Sequence, residues 1–206
     1  MAHRPKKSLG QNFLIDGNLQ RKIVEALDLG PDDEVLEVGP GKGALTRHLA
    51  GRCRSLFLVE LDRDLAADLE RTHGALPGIK VVNEDILKVR VRELSTGVSK
   101  LKVVGNIPYN ITTPILFHLL LPPRPQQILL MVQKEVGDRV LASPGTSAFG
   151  ALTVGVQSVA SVEKVLKVPS TAFRPVPAVE SVVIKVVPIR PEPLSRQEAG
   201  ALRTRT

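Results

Sequence analysis

The segment Glu37-Val38-Gly39-Pro40-Gly41-Lys42-Gly43-Ala44 follows directly on an apolar run of strand length. Glycines in that place let the backbone turn tightly and bring a ligand against the start of the next helix. Gly39, Gly41 and Ala44 satisfy a dinucleotide fingerprint, while Gly39, Gly41 and Gly43 behind an acidic residue suit S-adenosylmethionine. A bare strand-to-helix turn is the third reading. Glu60 lies twenty-one residues after Gly39, at the end of a second apolar run, and can accept from both hydroxyls of an adenosine ribose. A carboxylate there also disfavours a 2′-phosphate. Asp85, after a third run, can accept from an adenine amine, although an acid at a strand end is more often an exposed cap.

Asn106-Ile107-Pro108-Tyr109 closes a fourth run and points to the reaction. An exocyclic base nitrogen delocalises its lone pair into the ring, so acceptors on its N–H groups favour a pyramidal, more nucleophilic nitrogen. Asn106 supplies a side-chain carbonyl. Ile107 supplies a backbone carbonyl whose direction is restricted by Pro108. Tyr109, the one tyrosine in the chain, offers a flat face to an extruded base. Its bland alternative is a ring packed in the core.

These residues need strands to hold them side by side. Glu34–Val38, Leu56–Glu60, Ile79–Asn83, Leu101–Gly105 and Ile128–Gln133 are short runs rich in Val, Ile and Leu, the pattern of buried parallel strands. Helical stretches are predicted at about 43–51, 62–73, 86–94 and 113–121, with a further one over Asn18–Leu29. Two more helices, near 134–142 and 149–159, precede the extended runs Glu163–Val168 and Ser181–Val187. No helical pattern separates those two runs, so they read as an antiparallel hairpin. The expected fold is α/β: a mostly parallel seven-stranded sheet with helices on both faces and a terminal antiparallel hairpin. The expected organisation is a basic arm at 1–16, a single domain over 17–189 and a linker or tail over 190–206.

The 206 residues are 43% hydrophobic and 24% charged, which excludes wholesale disorder. No apolar run approaches the ~20 residues that a bilayer requires. Cys53 is the only cysteine, so neither a disulfide framework nor a Cys-built zinc site is available, and a reducing cytosol fits. Arg52 and Arg54 flank Cys53 and would acidify a thiol, yet the residue reads as incidental. His3, His48, His73 and His118 are scattered without metal or triad spacing, so no metal is expected. The net charge is +7. It is uneven: residues 1–100 hold sixteen basic and fifteen acidic side chains, residues 101–206 twelve and six. With Arg4, Lys6 and Lys7 ahead of the first acid, the excess suits a polyanion, or a merely solubilising surface.

Residues 4–188 resemble the ribosomal RNA adenine dimethyltransferases, most closely their bacterial small-subunit branch. The resemblance is carried, in family order, by Lys7–Leu14 (KSLGQNFL), Glu37–Thr46 (EVGPGKGALT), Asn106–Pro114 (NIPYNITTP), Val132–Val136 (VQKEV) and Phe173–Ser181 (FRPVPAVES). It implies a class I methyltransferase fold, S-adenosylmethionine as cofactor, and dimethylation of N6 on two adjacent adenosines near the 3′ end of small-subunit (16S) rRNA. The implied partner is the immature 30S subunit, the compartment the cytoplasm and the state a monomer. By position it implies that Asn12, Leu14, Gly39, Gly41, Glu60, Asp85 and Asn106 contact the cofactor. Asn106, Ile107, Pro108 and Tyr109 then serve the target base, with Phe173 as a second aromatic that sandwiches it against Tyr109. Arg4, Lys6, Lys7 and Arg174 would touch RNA. The resemblance implies a helical C-terminal subdomain that the tail 190–206 is not expected to begin, and Phe149 stands where tyrosine is expected before Gly150.

Three rival functions remain at this level. One is a large-subunit rRNA adenine methyltransferase of the macrolide-resistance kind. Another is a NAD-dependent oxidoreductase, which leaves the Asn106 motif without a purpose. The last is a non-catalytic RNA-binding assembly factor.

Overall fold

The computed structural model describes residues 10–97 and 100–189. Arg4, Lys6, Lys7 and the stretch 190–206 lie outside these described residues.

The strands are β1 (Phe13–Leu14), β2 (Glu34–Val38), β3 (Ser55–Glu60), β4 (Ile79–Asn83), β5 (Leu101–Asn106), β6 (Gln127–Gln133), β7 (Ala160–Val168), β8 (Phe173–Arg174) and β9 (Ser181–Pro188). The helices are α1 (Gly17–Glu25), α2 (Thr46–Leu49), α3 (Arg63–His73), α4 (Val91–Leu94), α5 (Thr112–Leu119), α6 (Lys134–Val140) and α7 (Ala151–Gln157). Seven strands form one sheet in the order β4-β3-β2-β5-β6-β9-β7. The five from β2 to β6 are parallel, and β9 runs antiparallel to both β6 and β7, as the hairpin reading expects.

Strict alternation sorts each strand's apolar residues onto two cores. Leu36, Val103, Ile128, Leu130 and Ile184 pack on one face with Ile115 and Leu116 of α5. Val35, Val104, Leu129, Met131 and Val183 pack on the other with Ile23 and Val24 of α1. Burial on both faces is why these strands read as continuous apolar runs.

Several boundaries differ from the sequence reading. The helix expected at 43–51 contracts to α2, because Gly41 and Gly43 both take positive φ, 59° and 75°, which a right-handed helix does not admit. The helix expected at 86–94 contracts to α4. There Asp85 Oδ1 accepts from the backbone N–H of Leu87 at 3.0 Å, a local turn that competes with helix. A two-residue ladder, Phe13 opposite Arg174 and Leu14 opposite Phe173, stitches the N-terminal segment to the proline-rich loop. The segment expected to be an arm up to residue 16 thus pairs with the domain's strands from residue 13, and its Gln11 side chain already donates to Asp62.

The order of strands reverses between β2 and β5, so the chain leaves their carboxyl ends in opposite directions and opens a crevice there. In-register pairing sets Val38 beside Gly105 at that crevice. A Cβ on Gly105 would lie 2.7 Å from the Val38 carbonyl oxygen, which a central strand cannot move. Gly105→Ala is accordingly expected to cost about 1–3 kcal/mol. A chain of this size would lose roughly 2–12 °C of Tm, at about 2–4 °C per kcal/mol, readable by thermal denaturation followed by circular dichroism. An unchanged Tm would mean that β2 and β5 are not held this closely.

Candidate functional site

Along the carboxyl edge of the sheet, Asp85, Glu60, Gly39 and Asn106 stand at or just after the ends of β4, β3, β2 and β5, in that spatial order. A cavity of about 300 Å³ opens beside them. Of the residues expected at the site, Asn12, Leu14, Gly39, Gly41, Glu60, Asn106, Ile107, Pro108 and Tyr109 line it. Asp85 does not; it sits one strand further out, its Oδ1 committed to Leu87. Arg174 is exposed on β8, where its guanidinium donates to the carbonyls of Thr171 and Phe173.

Phe173 requires a correction. Its side chain is 0% exposed, packed with Leu14, Met131 and Val183, and is not part of the cavity wall. Pairing with Leu14 turns the ring into the second core, so it plugs that core and offers no free face with which to sandwich a base against Tyr109. Cys53 also departs from the acidic thiol that flanking arginines suggested. Burial, with Asp33 nearby, pushes its pKa up to about 11.

The glycine turn forms because Gly39 and Gly41 take φ of 65° and 59°, the left-handed region open to glycine. A Cβ on Gly39 would lie 3.4 Å from the backbone oxygen of Asn106, and one on Gly41 3.2 Å from the Phe13 ring. Only a bare backbone leaves this floor open. Glu60 holds the turn: its Oε2 accepts from the Gly41 N–H and its Oε1 from the Asp62 N–H, both at 2.9 Å. Each oxygen keeps a lone pair for a ligand hydroxyl. Burial raises the Glu60 pKa, against the pull of those backbone bonds.

Glu37 is a site residue that the sequence reading treated only as the acid ahead of the glycines. It lines the cavity, is 2% exposed, and accepts from the Thr46 hydroxyl at 2.7 Å. Burial pushes its pKa up to about 8, with the Glu60 charge adding to the rise and the Thr46 bond opposing it. The signal in the sequence was a carboxylate flanked by Leu36 and Val38 inside a short strand, beyond the Glu34 that opens it.

The Glu60 carboxyl, with the acceptor oxygens of Glu37 beside it, suits a cationic sulfonium better than a pyrophosphate. The glycine floor, the carboxylate pair and the free lone pairs of Glu60 thus fit S-adenosylmethionine. They fit a dinucleotide poorly.

The opposite wall is built by Asn106 and Tyr109. Asn106 Nδ2 donates to the Asn12 carbonyl at 2.9 Å, which orients the amide and leaves Oδ1 as its acceptor end. The Tyr109 hydroxyl shares a 2.6 Å hydrogen bond with Ser181 Oγ, buried at the start of β9. This bond fixes the ring from a strand that follows it by more than seventy residues. Burial raises the tyrosine pKa, so its hydroxyl stays protonated.

Comparison with known proteins agrees with this arrangement. Residues 2–201 match the family model described as ribosomal RNA adenine dimethylase. A Moorella thermoacetica protein named ribosomal RNA small subunit methyltransferase A is 49% identical over 191 residues, covering 88% of this chain and 66% of that protein. Its namesake in Acinetobacter baylyi is 43% identical over 202 residues, 98% of this chain and 74% of that one. Among solved structures, a Plasmodium falciparum dimethyladenosine transferase superposes with a TM-score of 0.76 at 29% identity, over 86% of this chain and 63% of that one. The 23S rRNA methyltransferase ErmE gives a TM-score of 0.77 at 35% identity, over 94% and 75%. The chain thus spans about two thirds to three quarters of the length of these relatives.

The Glu37 carboxyl yields a pH prediction. Its ordinary value is 4.5 and its folded value about 8. Between those limits the folded chain holds a proton that the unfolded chain has lost. Stability therefore falls as pH rises across the window, by up to about 1.4 kcal/mol per pH unit. Glu37→Gln still accepts from Thr46 but removes the titration. The variant should be more stable than the parent at pH 8, with the gain shrinking toward pH 5, as read by urea denaturation. A gain independent of pH would mean that Glu37 titrates normally.

Proposed function

The chain belongs to the ribosomal RNA adenine dimethylase family, and from that premise we propose that it transfers methyl groups from S-adenosylmethionine to N6 of two adjacent adenosines near the 3′ end of small-subunit rRNA. Its setting on this reading is the cytoplasm, on the maturing 30S subunit, where it acts as a monomer. One observation carries the reading: the glycine turn with Glu60 and the Asn106–Tyr109 motif face a single cavity at the sheet's switch point.

S-adenosylmethionine brings an electrophilic methyl group on a positively charged sulfur. Around it, Gly39 and Gly41 give close backbone approach, Glu60 accepts from the ribose, and Asn12 and Leu14 cover it from the N-terminal segment. Asp85 takes the adenine end, reaching it from beside the cavity. On the target side, Asn106 Oδ1 and the Ile107 carbonyl accept from the base's N6 hydrogens and raise the nucleophilicity of that nitrogen. Tyr109 stacks on the extruded base, and Pro108 fixes the direction of the Ile107 carbonyl. The amine attacks as the neutral species and loses its proton after transfer, so no side chain need remove it beforehand. Arg4, Lys6, Lys7 and Arg174 meet phosphates.

A second reading, methylation of a large-subunit adenine, draws on the 35% identity to ErmE. The higher identity to small-subunit methyltransferases favours the first. The deciding experiment is transfer of tritiated methyl to unmodified small and large subunits, followed by nucleoside analysis for dimethyladenosine. Label confined to large subunits would select the second reading. Absence of transfer despite RNA binding would select a non-catalytic assembly factor.

Asn106→Ala should abolish transfer while cofactor affinity falls only modestly, because the carbonyl acts on the amine in the transition state. Tyr109→Ala should lose about 1–3 kcal/mol of stacking, whereas Tyr109→Phe, lacking only the Ser181 bond, should keep most turnover. Glu60→Ala should weaken cofactor binding by roughly 2–4 kcal/mol in calorimetry. Cofactor affinity equal to the parent's would remove Glu60 from the site, and a fully active Asn106→Ala would remove the amine-activation step.

A further inference from the structure

The charge around the cavity is not uniform. Its floor carries Glu37 and Glu60, yet the adjoining α1–α2 corner is strongly cationic. There the His48 ring lies 3.2 Å from the Gln20 amide oxygen, which joins α2 to α1. Burial lowers the His48 pKa, and the charges of Arg47, Arg21 and Arg52, on and beside the two helices, lower it further. All three guanidinium groups belong to exposed residues.

Two are already held in place by neutral acceptors. Arg47 Nε donates to the Gly43 carbonyl, and Arg21 donates to the Asn18 side chain. Among the described residues none of the three pairs with a carboxylate, whereas Arg54, Arg71 and Arg90 pair with Glu34, Asp68 and Glu93. Asp16, at the head of α1, has Oδ1 occupied in capping Asn18 and Leu19. Three like charges without local compensation repel one another, and so the corner gains when an external anion arrives. Arg47 also lines the cavity, together with Gly17 and Gln20, which makes the corner continuous with the methyl-transfer site.

We propose that Arg21, Arg47 and Arg52 form a phosphodiester-binding corner that carries the backbone of the substrate RNA strand next to the target nucleotide. This rests on the RNA-methyltransferase reading. Guanidinium forks match phosphate oxygens bidentately, and neutral tethers reduce the side-chain entropy lost on contact. The contact is to backbone, so it positions the strand and carries no base preference. The salt sensitivity of RNA binding should therefore trace in part to this corner.

The test is fluorescence anisotropy with a labelled RNA hairpin whose loop contains two adjacent adenosines, titrated from about 50 to 200 mM salt. Each arginine replaced by glutamine should lower the magnitude of the log–log salt slope by about 0.7–0.9. Affinity at the lowest salt should fall by on the order of tenfold per arginine. Arg21→Gln and Arg52→Gln should leave S-adenosylmethionine affinity unchanged. Arg21→Lys and Arg52→Lys should retain most of the slope, and Arg71→Gln and Arg90→Gln, already paired with acids, should retain nearly all of it. An unchanged slope in Arg21→Gln/Arg52→Gln, with circular dichroism matching the parent, overturns the corner while leaving the enzyme reading intact. Arg47→Gln losing cofactor affinity with an unchanged salt slope assigns that residue to the cofactor's carboxylate and also overturns the corner. A parent chain without salt-dependent affinity for the hairpin overturns the RNA reading itself.

Discussion

The pairing of β2 with β5 is the constraint on which the site depends. Their ladder fixes Val38 against Gly105, and the strands come so close at that point that only glycine fits. The chain then turns away in opposite senses from the two ends. Gly39 and Asn106, far apart in sequence, are left facing one cavity. A base nitrogen and a methyl donor must meet at close range for transfer to occur, and effective molarity of this kind is gained by rigid positioning. The hydrogen-bonded register of two central strands is about as rigid an element as a protein offers.

The central strands were legible because they are buried on both faces, so their runs of Val, Ile and Leu admit no amphipathic alternative. Helix ends were less legible. Positive φ at Gly41 and Gly43 delays α2, and the Asp85 side chain diverts the chain into a turn before α4. Neither effect leaves a periodic trace. The ladder between Phe13–Leu14 and Phe173–Arg174 involves two residues from each segment, separated by most of the chain, and no local pattern could signal it. That ladder decides the fate of Phe173, which motif position placed beside the base and tertiary packing places in the core. The Tyr109–Ser181 bond was hidden for the same reason. That Gly39, Gly41 and Glu60 would share one cavity was legible, because strand ends in a parallel sheet must gather at one edge. Glu37 was overlooked because its distinguishing property is burial, which spacing alone does not report.

The site also separates two kinds of charge. A cationic methyl donor gains from carboxylates, whereas an RNA backbone is repelled by them. Glu37 and Glu60 are recessed, and burial raises both pKa values, which limits how much negative charge they project. The arginines of the α1–α2 corner are exposed and their charge is uncompensated locally, so the outward face of the same region is positive. Attraction between those arginines and Glu37 is kept modest because Glu37 holds its proton up to about pH 8. The recessed acids and the outward arginines thus present opposite signs of field on the two sides of the cavity mouth.

The N-terminal segment joins these halves. Gln11 donates to Asp62 at 2.9 Å, Asn12 accepts from Asn106, Gln20 donates to the Leu14 carbonyl, and Phe13 and Leu14 pair with β8. Four consecutive residues therefore touch the cap of α3, the end of β5, α1 and the proline-rich loop. Asp62 in turn donates its N–H to Glu60. A change in the position of residues 11–14 would shift both the Glu60 carboxylate and the Asn106 amide that line the cavity. The segment has few apolar anchors of its own, with Leu14 alone fully buried among residues 11–14. It is held chiefly by polar bonds worth about 1 kcal/mol each, so its order depends on all of them forming together. That dependence ties both walls of the cavity to one short stretch of chain.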